Sequence, residues 1–219
     1  NIIITGANSG LGLALVKALN IDNNILAFVN QDKSNIIDID GGEINIINWD
    51  FRDIDSNKIN KNKIIKFKPN IIINSAASFG SEKEKFSEID IKQFNSVFNI
   101  NVLSALSIIQ NSLIGNDLEQ IVNISSEMGS INLNKHGGYY YYRTSKTLLN
   151  SITKNLSIDL KHKNIIVYCI HPGSIKTKLN SGGLISPEVS AQKIINLCAE
   201  NNFKFSGKFL DINKNVLEW

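Results

Sequence analysis

Three consecutive isoleucines, Ile2-Ile3-Ile4, run straight into Thr5-Gly6-Ala7-Asn8-Ser9-Gly10-Leu11-Gly12, and that turn leads directly into Leu11, Ala14, Leu15, Ala18 and Leu19 at helical spacing. A β-branched run without polar alternation is the pattern of a strand buried on both faces. Apolar residues three and four apart form one face of a helix. Strand, glycine-rich turn and helix in immediate succession are the start of a βα unit, and such units stack into a parallel sheet.

The pattern recurs along the chain. Further strands are predicted at 25–29, 44–47, 70–74, 120–125, 165–170 and 208–212, and further helices over 54–67, 90–114, 139–162 and about 187–201. Residues 35–42 are too few and too broken to assign a helix. Alternation of strands and helices predicts α/β architecture: a single doubly wound, Rossmann-type domain over residues 1–219. Its sheet has about seven parallel strands, with helices on both faces and right-handed crossovers. The ligand of such a sheet sits at the carboxyl ends of its strands.

Composition excludes several classes. Apolar residues make up 42% and charged residues 20% of the chain, and the net charge is +3 with the charges dispersed. The densest basic stretch, 58–68, also carries Ile59, Ile64, Ile65 and Phe67, so it reads as a helix with one buried face and not as a nucleic-acid surface. No apolar run reaches the ~18 residues of a transmembrane helix. Asn1 leads directly into a strand, so no signal peptide is expected, and the missing initiator Met suggests that a residue or two precede it. Cys169 and Cys198 do not make a disulfide framework. Cys169 lies in an apolar strand as a small hydrophobe, and reduced thiols fit a cytoplasmic protein.

The opening turn carries chemistry. Glycine lets the backbone turn tightly and approach a phosphate with no Cβ in the way. The start of the following helix offers free N–H groups and partial positive charge, which suit a pyrophosphate. Far downstream, Tyr142 and Lys146 stand four residues apart within a predicted helix, so phenol and ammonium share a face. A neighbouring ammonium stabilises phenolate and brings a tyrosine, ordinarily titrating at about 10, toward neutral pH. Ser125-Ser126 ends a predicted strand just before this helix. The three histidines, His136, His162 and His171, do not have metal-binding spacing, and no metal is expected. No Gly-x-Ser-x-Gly elbow points to a hydrolase.

Taken together and in order, these motifs resemble those of the short-chain dehydrogenase/reductase family, with details similar to the subgroup of C-factor-like proteins and Sniffer-type carbonyl reductases. Thr5 to Gly12 resembles the family's cofactor turn. Asn74-Ser75-Ala76-Ala77 resembles its Asn-Asn-Ala-Gly motif, with Ser75 and Ala77 as departures. Ser125-Ser126, Tyr142-x-x-x-Lys146 and Pro172-Gly173 with Thr177 resemble the rest. The subgroup details are Met128-Gly129-Ser130-Ile131, Gly137-Gly138, Tyr142-Arg143 and Trp219. The chain is short for the family, and the shortening falls after the second strand and in the loop following Thr177.

The resemblance implies NADP or NAD as cofactor and a small carbonyl or alcohol compound as substrate, with neither nucleic acid nor membrane as a partner. An acidic residue ending the second strand would select NAD. Asn30-Gln31 stands there instead; no Arg or Lys occupies Ser9 or Asn30 to favour NADP, although Lys33 is nearby, and the lack of the acid removes one source of repulsion and tips the balance toward NADP. The implied cofactor-binding residues are Gly6, Asn8, Ser9, Gly10, Leu11, Gly12, Asn30, Asp50, Phe51, Asn74, Ala76, Tyr142, Lys146, Pro172, Gly173, Ile175 and Thr177. Asp50 would contact adenine, and Ile175 and Thr177 the nicotinamide carboxamide.

The implied catalytic residues are Asn101, Ser126, Tyr142 and Lys146. Tyr142 exchanges the proton, Lys146 lowers its pKa and binds ribose, and Ser126 holds the substrate oxygen. Asn101 holds a water that links Lys146 to solvent. Ser125 and Asn99 are the competing choices for serine and asparagine. The resemblance also implies a homodimer through the two long helices. A nucleotide-binding signalling or sensor protein of the same fold is the alternative to an enzyme. A sugar-nucleotide epimerase would need more chain after Thr177.

Overall fold

Isoleucine, valine and leucine dominate the strands, and their side chains alternate between two apolar layers. Ile2 and Ile4 face one layer with Ile25, Ala27, Val29, Val122, Tyr168 and Leu210. Ile3 faces the other with Leu26, Phe28, Ile72, Ile121 and Val167. A strand buried on both sides gains roughly 1.5–3 kcal/mol for each large apolar side chain removed from water. The computed structural model describes residues 1–30, 36, 39–54, 58–81 and 86–219, with only the backbone at 58–60.

Seven strands form one sheet: β1 (Ile2–Thr5), β2 (Ile25–Val29), β3 (Ile44–Asn48), β4 (Ile71–Asn74), β5 (Gln120–Ile124), β6 (Ile166–His171) and β7 (Phe209–Asp211). Their order is β3-β2-β1-β4-β5-β6-β7. Every pairing is parallel, with Ile4 opposite Ala27 on one side and Ile73 on the other. The chain builds outward from β1 to β3, then returns to pair β4 with β1. That reversal opens a crevice between the ends of β1 and β4, where a doubly wound sheet takes its ligand.

The helices divide between the two layers. On the Ile2/Ile4 side lie α1 (Gly10–Leu19) and the last helix, Pro187–Ala199, which share that core through Leu15, Ala191, Ile194 and Leu197. On the other side lie α2 (Lys58–Phe67), α4 (Ser104–Ser112) and α5 (Tyr140–Asp159), through Ile64, Ile108, Ile109 and Leu156. The final helix is α6. In α2, Ile64 is buried while Lys61, Lys63 and Lys66 are exposed, as is Lys68 just after it, as expected for a solvated basic face.

Sequence periodicity predicted one continuous helix over 90–114, but the structure interrupts it. Helix α3 (Ile91–Phe98) gives way to a π turn at Asn99–Leu103 before α4 begins. The amide of Ser104 reaches back to the carbonyl of Asn99, five residues away, and the Ser104 hydroxyl takes up the Ile100 carbonyl at 2.7 Å. Residue spacing cannot distinguish a π turn from the α turns around it, because the apolar face carries on with one residue added. The helix expected to begin at 54 is described from Lys58 onward; residues 55–57, like 35, 37 and 38 of the 35–42 stretch, fall outside the described residues.

Candidate active site

Thr5 locks the crevice open at its floor. Its buried hydroxyl oxygen accepts from the amides of Ser75 and Ala76, both at 2.9 Å, and so ties β1 to the segment after β4. Gly6 follows in the left-handed region, with φ +66, and a Cβ there would lie 2.9 Å from the Ala76 Cα. Gly12 is more restrictive: its Cβ would lie 2.2 Å from the Gly6 carbonyl oxygen. Only glycine allows the turn to fold back on the first turn of α1.

Ser9 precedes α1 in extended conformation, and its side chain makes no cap hydrogen bond. The first turn of α1 holds no acidic side chain, so neither contact offsets the positive end of the helix. The amide of Ala7 donates to the Phe28 carbonyl at 3.1 Å and the Asn8 side chain to the Asn30 carbonyl at 3.3 Å. The cradle is thereby fixed against the end of β2.

From this cradle a cavity of ≈1390 Å³ extends across the strand ends to α5. Sixteen of the residues singled out from sequence line it: Gly6, Asn8, Ser9, Gly10, Leu11, Gly12, Asn30, Phe51, Ala76, Ser126, Tyr142, Lys146, Pro172, Gly173, Ile175 and Thr177. Backbone amides meet it at one end, and hydroxyl, phenol and ammonium meet it at the other.

Four consecutive tyrosines enter α5 and have four different fates. Tyr139 caps the helix with left-handed backbone, φ 51, after Gly137 and Gly138, which also have positive φ. Tyr140 is exposed against Phe86, with ring centroids 5.7 Å apart. Tyr141 is buried, and its hydroxyl accepts from the Asp90 amide at 2.7 Å. Tyr142 alone of the four lines the cavity, with its hydroxyl bonded to Ser126 and its ring 4.1 Å from that of Phe79.

The serine pair is also resolved. Ser125 is buried and donates to the Asn150 side-chain oxygen at 2.5 Å. Ser126 turns to the cavity, where its hydroxyl oxygen also accepts from the Met128 amide at 3.1 Å. Ser126 is therefore both a cap and a partner of Tyr142.

Electrostatics at this end depart from the sequence expectation. Burial pushes the Tyr142 phenol up to about 12, against the opposing pull of the Ser126 hydrogen bond. Burial likewise pushes Lys146 down to about 8. The Lys146 ammonium donates to the Ile124 carbonyl at 2.7 Å and lies 5.6 Å from the Tyr142 ring centroid. The expected acidified phenol is thus not what the structure holds, because burial disfavours the phenolate by more than the Ser126 hydrogen bond favours it. At neutral pH the pair is a protonated phenol beside a lysine that is still mostly charged.

Three expected site residues do not line the cavity. Asp50 turns away to Arg52, which pairs with it at 2.5 Å and holds its carboxyl below the usual range. Arg52 lines the cavity in its place. Asn74 is buried between strands and donates to the Asn123 side chain at 2.8 Å, so it braces β4 against β5. Asn101 sits in the π turn behind the wall: it donates to the Ser78 carbonyl at 2.9 Å and the Ser145 hydroxyl at 2.8 Å, and accepts from the Ser78 amide at 2.7 Å. It positions the Ser78–Phe79 wall. Asn99, its competitor, donates to the Arg52 carbonyl at 2.8 Å. Gln31 and Lys33, weighed for cofactor choice, lie outside the described residues.

Sequence reading missed Phe79 and gave Arg143 no role. Phe79 lies in a loop with no periodic signal. Arg143 directly follows Tyr142, and that adjacency was the signal available. His171 lines the cavity, accepts from the Glu127 amide at 3.2 Å, and has its pKa pushed down by burial. The loop after Thr177 is a compact turn: Lys176 donates to Ile185 at 2.8 Å, Leu184 to Ser174 at 2.7 Å, and Thr177 and Asn180 exchange bonds at 3.1 Å. No helix among the described residues is long and apolar enough to cross a membrane.

A family model described as short chain dehydrogenase matches residues 1–183. The chain belongs to the short-chain dehydrogenase family. Within that class it is similar to C-signal of Myxococcus xanthus, 28% identical over 136 residues that cover 60% of this chain and 82% of the relative. Alignments to two further curated relatives span 45% and 63% of their lengths. In structure it is similar to the carbonyl reductase Sniffer of D. melanogaster, with TM-score 0.87, 25% identity, and coverage of 100% of this chain and 99% of that one. The fold is shared with an NADPH-bound carbonyl reductase from chicken fatty liver, with TM-score 0.81, 23% identity, and coverage of 100% and 98%.

Proposed function

We propose that residues 1–219 act as one NAD(P)(H)-dependent oxidoreductase domain that interconverts a carbonyl compound and its alcohol. The observation that carries this reading is the continuity of one cavity from the glycine cradle to Ser126, Tyr142 and Lys146. The cradle suits a dinucleotide because Cβ-free backbone at Gly6 and Gly12 meets a helix start whose cap side chain makes no bond. When bound, the nicotinamide supplies or accepts the hydride.

The chain's own residues handle the proton and the charge. Ser126 donates a hydrogen bond to the substrate oxygen and holds it against Tyr142. Tyr142, protonated throughout the neutral range, gives its proton to that oxygen as the carbonyl carbon becomes an alcohol carbon. The Lys146 ammonium lies close enough to stabilise the phenolate that remains until it is reprotonated. The Phe79 ring on Tyr142 restricts water at the reacting centre. A phenol with a raised pKa favours reduction over oxidation at pH 7.

The preferred cofactor is NADP(H). Asn30 puts no carboxylate at the end of β2 to repel a 2′-phosphate, and structures sharing the fold are described as bound to NADPH or NADP. Buried thiols at Cys169 and Cys198 fit a cytoplasmic setting. Two copies pair through the long helices, where Phe86, Ile91 and Tyr140 expose apolar surface.

Mixing the protein with NADPH and NADH separately, and following nicotinamide fluorescence and then its loss with a panel of aldehydes and ketones, tests the reading. Binding with turnover supports it, and turnover of no carbonyl compound contradicts it. The likeness to C-signal favours a second reading, a nucleotide-binding signalling protein, for which binding without turnover is the expected result.

A further inference from the structure

Among the described residues, five cationic side chains line the cavity: Arg52, Arg143, Lys146, Lys176 and Lys178. Arg52 is occupied by Asp50, and Lys146 by the Ile124 carbonyl. Lys176 and Lys178 extend from the exposed loop after β6. Arg143 differs from all four. It follows Tyr142 on α5, so its backbone is as fixed as that of the proton donor. Its Nη1 makes one long bond, 3.4 Å, to the Met128 carbonyl. Its Nε is buried and, among the described residues, has no hydrogen-bond partner. No carboxylate among the described residues pairs with it.

A guanidinium carries five donors in a rigid fork and stays charged at every physiological pH. The wall that orients this one is itself fixed. The Met128 amide donates to Ser126, while Thr147 and Asn150 donate to the neighbouring Gly129 carbonyl at 2.9 and 3.3 Å. Among the described residues the acid that lines the cavity, Glu127, lies 3.8 Å from His171. The cavity that Tyr142 and Ser126 line therefore also holds a fixed cation whose fork is mostly unused. The complement of such a fork is a planar, bidentate anion.

We propose that Arg143 determines specificity at this site, binding a carboxylate carried by the carbonyl compounds that the chain reduces. The proposal rests on the oxidoreductase reading and names its substrate class. The carboxylate meets Arg143 while the carbonyl oxygen meets Tyr142 and Ser126, so the substrate is held at two points and its carbonyl is oriented.

The test compares 4-carboxybenzaldehyde with its methyl ester as substrates for wild type, Arg143→Met and Arg143→Lys, with NADPH. Wild type should favour the acid in kcat/KM by about tenfold or more, the size of a charged hydrogen bond lost. Arg143→Met should bring the ratio close to one, mainly through KM for the acid, and Arg143→Lys should restore part of it. A purely structural role would lower acid and ester alike, and equal ratios in wild type and Arg143→Met overturn the proposal. Calorimetric binding of 4-(hydroxymethyl)benzoate in the presence of NADP supplies a readout without turnover. Tenfold tighter binding to wild type than to Arg143→Met, with neither aldehyde reduced, leaves the anion site standing and removes the reductase reading. Reduction of both aldehydes with no acid preference does the reverse. Absence of both turnover and binding overturns the proposal together with the reading on which it stands.

Discussion

The two ends of the cavity are built from different materials. At the β1–α1 end the working parts are backbone: amides, a helix start, and glycines whose missing Cβ atoms make the room. At the α5 end they are side chains that arrive from separate elements, with Ser126 after β5 and Tyr142, Arg143 and Lys146 on one helix. A backbone site tolerates change in chemistry but not in volume. A side-chain site is the opposite. Mutations should therefore separate binding from turnover.

The largest separation is expected from Tyr142→Phe. Removal of one hydroxyl should lower turnover by about 10²–10⁴-fold, the range for a general acid, while nicotinamide fluorescence still reports binding. Gly12→Ala should do the converse and weaken cofactor binding first. A Cβ placed 2.2 Å from the Gly6 carbonyl forces the turn apart, with a stability loss of about 1–3 kcal/mol visible in thermal unfolding. Unaltered binding by Gly12→Ala would break the distinction between the two ends.

The contrast also explains what sequence could reveal. The β1–α1 cradle was legible because each part is local: a strand, a glycine turn and a helix are consecutive. The parallel, doubly wound sheet of about seven strands followed from the same alternation, whereas the order of its strands is given by the structure. The α5 end was legible only in part. Tyr142 and Lys146 share a face by spacing, but their titration depends on burial, which no local pattern records. Asp50 was expected at the adenine, yet Arg52, two residues on, claims its carboxylate. Asn101 was expected to hold a water leading to Lys146, and its side chain is bonded to Ser78 and to Ser145, the residue before that lysine. Both sets of contacts are ones that residue type does not encode.

Smaller effects sharpen the comparison. The serines should divide: Ser126→Ala should lower turnover by about 10–100-fold through lost oxyanion support. Ser125→Ala should leave turnover close to wild type but cost about 1–3 kcal/mol of stability, since it strands the buried Asn150 oxygen. Equal turnover losses in the two variants would contradict the assignment of Ser126.

Lys146 gives the subtlest test, because the proposed reaction uses its charge while burial disfavours that charge. Its folded pKa, about 8, lies below the ordinary 10.5. Below pH 8 the lysine is charged in both folded and unfolded states. As pH rises from about 8 to 10, the unfolded chain keeps a proton that the folded chain has released. This group's contribution to stability therefore rises over that window, toward about 3 kcal/mol when complete. Above pH 10 the phenol raised to about 12 acts in the opposite direction. Reduction should fall as pH passes 8, because the phenolate loses its cation. Urea unfolding and initial rates across pH 7–10 should thus move in opposite directions, and a parallel rise or fall would break the link.

The central claim is that the two ends serve one reaction. Single turnover with NADPH deuterated at nicotinamide C4, 4-carboxybenzaldehyde as substrate and mass analysis of the product measures this directly. Deuterium should appear on the alcohol carbon without loss to solvent, at a rate that Tyr142→Phe abolishes. A bound cofactor that never transfers its label, or label lost to water, would contradict the account.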